Sequence, residues 1–403
     1  MTLSPDLNET TRMVHGGACE DGLVRTPGPP IQRGSTILLK HSRHIYDKSL
    51  VTYGRGGLAT QATLRSALED LEHADQVQLY PSGLAAITGT IQALTRSGDE
   101  VLVSDSVYNP TRRFLEGTMR RFGVTARYFR PGADASAVAA LITPATRLIY
   151  LESPGSLTLD VQDVPAIAAM ARARGVLTAI DNTYAAGVLF KPLDHGVDVS
   201  IQSLTKYVCG HSDVFMGMAA ARGEAAAKLA ESSHEMGWAV SPDDSYMALR
   251  GLRTLHMRLA QHGAATLRIA TWLNEQPEIG RVLCPALPSD PNHALWSRDF
   301  TGLCGLISIV LDGASDAAVG EMLDSLKLFG LGYSWGGFES LVIPCDPQLA
   351  TRRFPVVKSG PMLRLHVGLE DPDDLIRDLR QALDRLEPMA TLRAPALAIA
   401  GAP

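Results

Sequence analysis

From residue 76 to residue 202 the chain alternates short apolar runs with helical stretches, and few folds accommodate that rhythm. The apolar runs are Val77 to Leu79, Glu100–Ser104, Ala126–Phe129, Leu148–Glu152, Leu177–Ile180 and Val197–Gln202. Val77 and Leu79 alternate; the others are short apolar runs rather than clean alternations, as expected for strands covered on both faces. Between them lie helix candidates at Leu84 to Leu94, Thr111–Phe122, Ala135–Leu141 and Pro165–Arg174, the last stopped by Gly175. Before the first strand, Leu64, Ala67, Leu68 and Leu71 mark one face of an amphipathic helix. Strand–helix alternation of this kind predicts an α/β fold with an open, mostly parallel sheet and helices on both sides.

The flanking regions read differently. Residues 1–57 are irregular and rich in Pro, Gly and polar residues. A packed domain does not leave so much chain structureless, so this segment is expected to be an arm lying on another surface, such as that of a neighbouring subunit. Across the end of the α/β region (58–252), a helical stretch from about Asp244 to Glu275 leads into strands at Leu306–Leu311, Leu341–Pro344 and Leu363–Val367, with helices near Ala317–Leu326 and Asp374–Leu386. Residues 253–403 are expected to form a smaller α+β domain. Ala394 to Pro403 is apolar, short and broken by proline, and reads as a tail. At 403 residues, two domains are the natural expectation.

Composition excludes several function classes. Thirty-seven basic against 43 acidic residues leave a net charge of −6, with no basic face to hold nucleic acid. No run approaches a membrane span, and the polar N-terminus lacks the apolar core of a secretory signal. A soluble cytoplasmic protein is expected. The five cysteines (Cys19, Cys209, Cys284, Cys304, Cys345) are scattered and form no C-x-x-C pair, the usage of a reducing compartment. Cys209-x-His211 lacks a second pair and predicts no metal site. Gly54-Arg55-Gly56-Gly57-Leu58-Ala59 fits a dinucleotide fingerprint, but the polar segment before it is not a strand.

The chemistry gathers at strand ends. Leu177-Thr178-Ala179-Ile180 runs directly into Asp181, and the next strand leads through Ser203 and Thr205 to Lys206, 25 residues further on. In an open parallel sheet, ligands bind beyond the carboxyl ends of the strands. A partly desolvated lysine there has the chemistry of a Schiff base, and an aspartate can hold a cationic ring nitrogen. Either residue alone more often caps a turn or meets solvent; the pair on successive strand ends favours a cofactor. The strand–turn–helix at Pro81-Ser82-Gly83-Leu84 offers free N–H groups to an anion. Tyr108 follows another strand end and could stack on a flat ring; its plainer role is a half-buried surface tyrosine.

The runs Leu151-Glu152-Ser153-Pro154-Gly155-Ser156, Asp181-Asn182-Thr183-Tyr184-Ala185-Ala186-Gly187 and Thr205-Lys206-Tyr207 resemble the Cys/Met-metabolism family of pyridoxal-phosphate enzymes over nearly the whole chain. The resemblance implies an aspartate-aminotransferase-like fold (fold type I) and pyridoxal 5'-phosphate as cofactor. It implies that Lys206 carries the cofactor and shuttles a proton, that Asp181 pairs with the ring nitrogen and that Tyr108 stacks on the ring. Gly83, Leu84, Ser203 and Thr205 would hold the phosphate, joined by Tyr53 and Arg55 from a neighbouring subunit. Arg364 would bind the substrate carboxylate in a pocket lined by Ser334 and Trp335, with Tyr246 on its rim.

Lys206 to Asp213, Tyr333 to Ser340 and Leu363 to Asp371 resemble the β-eliminating branch of the family, whose γ-acting relatives usually show Ser-Leu-Gly-Gly where this chain has Ser334-Trp335-Gly336-Gly337. The expected reaction is therefore α,β-elimination on a sulfur amino acid, by a homodimer or homotetramer. Rival readings are γ-elimination, γ-replacement or cysteine desulfhydration on the same cofactor, and a non-catalytic interaction protein, against which the full set of Asp181, Lys206 and Arg364 argues. Leu84 departs from the Met or Ala expected in relatives, a change that a backbone contact tolerates.

Overall fold

The computed structural model describes residues 6–15, 26–47 and 49–386; Cys19 and the Ala394–Pro403 tail lie outside them. Twelve strands are described in two sheets. The first contains β1 (Gln76–Tyr80), β2 (Glu100–Ser104), β3 (Thr125–Phe129), β4 (Thr146–Glu152), β5 (Leu177–Asp181), β6 (Val199–Ser203) and β7 (Gly217–Ala221), in the order β1-β7-β6-β5-β4-β2-β3. Neighbours from β6 through β3 pair in parallel, whereas β7 runs antiparallel to both β1 and β6. The sheet is thus mostly parallel, as the alternation of elements predicts.

Side chains alternate across this sheet. Val101, Val103, Leu148, Tyr150, Val199 and Ile201 enter the core on one face; Leu102, Ile149, Leu151 and Ile180 enter the core on the other. Helix α1 (Glu9–His15) and helix α2 (Ala59–Glu72) cover the second face, and α3 (Gly83–Leu94) covers the first. Each fully buried aliphatic side chain contributes about 1.5–3 kcal/mol, so two covered faces hold the sheet firmly.

The second sheet contains β8 (Ile279–Leu283), β9 (Leu306–Leu311), β10 (Gly330–Leu331), β11 (Leu341–Pro344) and β12 (Met362–His366), in the order β10-β11-β12-β9-β8. It is antiparallel except for β10 with β11. Leu306, Ile307, Leu363 and Leu365 join the core of the first sheet, so one apolar cluster links the two sheets.

Several local outcomes differ from the sequence reading. The stretch expected to be helical from Asp244 to Glu275 is two helices, Pro242–Leu252 and Leu255–Leu273. The break is tied to the chain after Lys206: Arg258 donates to Gly251 O at 2.7 Å and to Tyr207 O at 2.6 Å. The helix expected at Thr111–Phe122 begins at Asn109 and passes through a π-helical turn at Leu115–Met119. The start of the irregular N-terminal region is the short helix α1, whose Met13 is buried and whose Glu9 pairs with Lys191 and His256. Beyond it, Leu38 and Tyr46 are each 92% exposed.

The four described cysteines are buried and unpaired, and burial pushes their thiols up, Cys304 to about 11 and the others to about 12. No described helix is long and apolar enough to cross a membrane.

Candidate active site

The parallel direction of β1, β2, β4, β5 and β6 delivers five strand ends to one rim. The chain leaves them at Ser82-Gly83, Tyr108, Glu152, Asp181 and Lys206, and all of these residues line a single cavity of about 560 Å³. Leu84, Ser203, Thr205, Trp335 and Arg364 line it as well. Most of the residues singled out in the sequence therefore converge, although they are spread over more than 280 positions; Ser334 does not line the cavity itself.

Lys206 follows β6 through a tight turn, its N–H donating to Ser203 O at 3.1 Å. Its Nζ donates to Ser334 Oγ at 2.8 Å and stands 5.1 Å from the centre of the Trp335 ring. Burial, then the positive field of Arg364, pushes the amine down to about 8, with Asp181 pulling the other way. A lysine so placed is a usable nucleophile and base near neutral pH.

Asp181 is 9% exposed. Its Oδ1 accepts from Thr183 N at 3.0 Å and Thr183 Oγ1 at 2.5 Å, which fixes the carboxylate plane. Burial raises its pKa, the Thr183 bonds and Lys206 oppose that, and a cation placed against it would relieve the desolvation. The turn-capping and ligand-holding roles weighed in the sequence are thus compatible: one oxygen caps, and the residue still lines the cavity.

Gly83 opens α3, whose N-cap Ser82 accepts from Ala85 N at 3.1 Å. A β-carbon at Gly83 would lie 2.5 Å from Ser203 Cβ, so only glycine lets the two strand ends meet this closely. The first-turn amides carry no intrahelical bond and suit a phosphate. The Thr205 hydroxyl is tied to Met216, donating to its carbonyl at 3.2 Å and accepting from its N–H at 3.0 Å.

Arg364 comes from β12 in the other sheet and is 5% exposed. Its Nη atoms donate to Gly332 O, Tyr333 O and Ser334 O at 3.0–3.3 Å. Its Nε–H is buried and meets no acceptor among the described residues. Burial lowers its pKa only to about 10, so it stays charged and suits a carboxylate.

The structure adds residues the sequence reading did not assign. Glu152 ends β4 beside Asp181 in register, and its Oε2 accepts from Tyr108 N at 2.6 Å. Burial, then the charge of Asp181, pushes its carboxyl well up. The same strand-end argument that found Asp181 would have found it. Arg113, on the helix after Tyr108, lines the cavity while remaining exposed, as does Phe215; neither carries a distinctive local signal. Tyr53 and Arg55 do not join this cavity; they line a separate depression with Gln32, Arg33 and Leu58. Tyr246 is not among the lining residues and lies beside Gly28.

This donor set fits pyridoxal phosphate: an amine for its aldehyde, a buried acid for its ring nitrogen, and a helix start fronted by Gly83 for its phosphate. Comparison with known proteins agrees. The model of the family described as Cys/Met metabolism PLP-dependent enzyme matches residues 10–384. A putative cystathionine beta-lyase of Rhizobium johnstonii is 42% identical, over 92% of this chain and 94% of that protein. The cystathionine beta-lyase MetC of Escherichia coli is 40% identical, over 93% of this chain and 98% of that protein. Among solved structures, cystathionine gamma-lyase from Lactobacillus plantarum superposes with a TM-score of 0.86 at 31% identity, covering 94% of this chain and 99% of that one. On the joint weight of fold, cavity and kinship, the chain belongs to the Cys/Met-metabolism family of pyridoxal-phosphate-dependent enzymes.

Proposed function

We propose that the chain is a carbon–sulfur lyase that splits cystathionine by α,β-elimination into homocysteine, pyruvate and ammonia. The observation that carries this reading is the hold on Lys206, whose amine is fixed by Ser334 beside Trp335 in a cavity closed by Asp181 and Arg364.

Arg364 binds the substrate α-carboxylate through a guanidinium already oriented by three main-chain carbonyls. That contact turns Cα–H toward Lys206. The free amine, its pKa lowered to about 8, takes the proton from Cα and holds it on Nζ. Pyridoxal phosphate, when bound, supplies the electron sink that makes this proton removable. Asp181 would hold its ring nitrogen, Tyr108 would cover its ring, and Gly83, Leu84, Ser203 and Thr205 would receive its phosphate. Lys206 then returns its proton to the sulfur as the Cβ–S bond breaks. Trp335, Tyr184, Leu159 and Phe215 give the cavity an apolar wall that limits water around Nζ.

Tyr53 and Arg55 complete the phosphate site of a neighbouring subunit, which makes a homodimer the smallest active unit. The exposed Leu38 and Tyr46 on the same arm suit such a contact. β-Elimination takes a single proton from carbon, whereas γ-elimination also needs one from Cβ. The Ser334 bond and the bulk of Trp335 keep Nζ in one place, which favours the shorter path.

Product analysis tests the reading. Incubation with cystathionine should give pyruvate and homocysteine in equal amounts. 2-Oxobutyrate with cysteine would reassign the enzyme to γ-elimination, and no turnover of any sulfur amino acid would overturn the lyase reading.

A further inference from the structure

Two side chains of β12 grip the same loop. Arg364 and His366 are two residues apart and project from one face of the strand. Arg364 holds the carbonyls of Gly332, Tyr333 and Ser334. His366, which is fully buried, holds the rest: its Nε2 lies 2.9 Å from Gly336 N and its Nδ1 lies 3.0 Å from Glu339 O. The partners settle the tautomer. A backbone N–H needs an acceptor, so Nε2 bears the lone pair and Nδ1–H donates to the Glu339 carbonyl.

Between the two grips sit the groups that touch Lys206, namely Ser334 Oγ at 2.8 Å and the Trp335 ring at 5.1 Å. Gly336 itself is seated on the lysine's backbone. Its φ is +84°, and a β-carbon there would stand 2.9 Å from Tyr207 N and 3.0 Å from Lys206 Cα. The loop cannot take up slack on that side, so its register over Lys206 depends on the amide that His366 accepts.

We propose that His366 is a positioning residue: as a neutral acceptor for the Gly336 amide, it fixes the Ser334–Trp335 segment and, through it, the Lys206 amine. This rests on the reading of Lys206 as the proton carrier. It does not depend on which carbon–sulfur bond is broken.

The surroundings keep the ring neutral. Burial comes first; then His262, its ring 5.3 Å away, and Arg364 and Lys206 from the cavity side hold the imidazole well below its usual range, with the Glu339 carbonyl pulling the other way. The Glu339 carboxylate accepts from Ser212 Oγ through Oε1, and it is the Glu339 carbonyl that meets the imidazole.

The test compares His366→Gln and His366→Asn with the wild-type holoenzyme. The Gln side chain extends far enough to present an acceptor to Gly336. The Asn side chain can still donate to Glu339 O but stops short of Gly336. The Asn variant should lose about tenfold to a hundredfold in kcat, as expected for a group displaced by a fraction of an ångström to an ångström, with KM held within about threefold. The acid limb of its kcat–pH profile should move to lower pH, because Ser334 and Trp335 both favour the ammonium form of Lys206. The Gln variant should recover most of kcat and the wild-type limb.

Equal kcat in all three proteins, equal loss in both variants, or loss in Asn without movement of the limb would each overturn the proposal. One measurement needs no substitution: ¹⁵N-histidine spectra of the wild-type enzyme should show His366 as the Nδ1–H tautomer throughout the active pH range. An Nε2–H or doubly protonated ring would also overturn it. If wild-type enzyme fails to turn over cystathionine but acts on another sulfur amino acid, the substrate assignment changes while the His366 comparison is run on that substrate.

Discussion

Lys206 Nζ reaches Ser334 Oγ at 2.8 Å across 128 residues of chain, joining the rim of the parallel sheet to a loop held by the antiparallel one. Neither sheet alone makes a site. The first brings the amine and the acid, the second brings the guanidinium, and this hydrogen bond is where the two halves meet. Relative movement of the sheets would therefore act directly on the lysine.

Removing the amine is the most direct check. Lys206→Ala should lower kcat by about 10²-fold to 10⁴-fold or more, the range for loss of a positioned acid–base group. It should also abolish the visible absorption of covalently held cofactor, while the far-UV circular dichroism stays that of the wild type. A folded variant that keeps full turnover would remove Lys206 from the chemistry.

The pH dependence has a defined sign. Below about 8 the Lys206 amine is protonated and has no lone pair for the Cα proton. The rate of the chemical step should therefore rise as pH increases through that value and then level off. Stopped-flow measurement of the step under saturating substrate checks this. A rate that falls across the same interval would mean that the ammonium, acting as an acid, limits turnover.

Much of this was legible in the sequence, for identifiable reasons. β2, β4, β5 and β6 are buried on both faces, so each announces itself as an apolar run, and Asp181 and Lys206 stand at their ends. β7 was missed. Gly217-Met218-Ala219-Ala220-Ala221 has little intrinsic strand preference and is extended because β1 and β6 pair with it on either side. The break between Leu252 and Leu255 was missed because Arg258, a residue beyond it, captures the Gly251 carbonyl. His366 was passed over for a related reason: its partners, Gly336 and Glu339, are about thirty residues away, and nothing local distinguishes it from a core histidine.

Gly83→Ala tests the close approach at the phosphate end. The new methyl would meet Ser203 Cβ and Oγ at 2.5 Å, so the turn must open. Overpacking of this kind costs about 1–3 kcal/mol, so the cofactor should bind about fivefold to more than a hundredfold more weakly in titrations of apoprotein. Gly320→Ala, with nothing within 4 Å of the added carbon, is the control and should leave cofactor affinity unchanged. Equal affinity in all three proteins would place the phosphate elsewhere.

Arg113→Ala tests whether the rim of the cavity reads the far end of the proposed substrate. Arg364 is buried in the cavity wall; if it serves the α-carboxylate common to all amino acids, as proposed, Arg364→Lys, which loses the planar fork, should raise KM for every substrate alike. Arg113 is exposed at the rim of the same cavity, where the second carboxylate of cystathionine would lie. Its contact is solvent-screened and correspondingly modest. Arg113→Ala should lower kcat/KM for cystathionine by about twofold to fivefold. S-Methylcysteine, which has no second carboxylate, should be turned over as before, and the cystathionine effect should shrink as salt is added. An equal loss on both substrates would mean that Arg113 shapes the cavity rather than reading the far carboxylate.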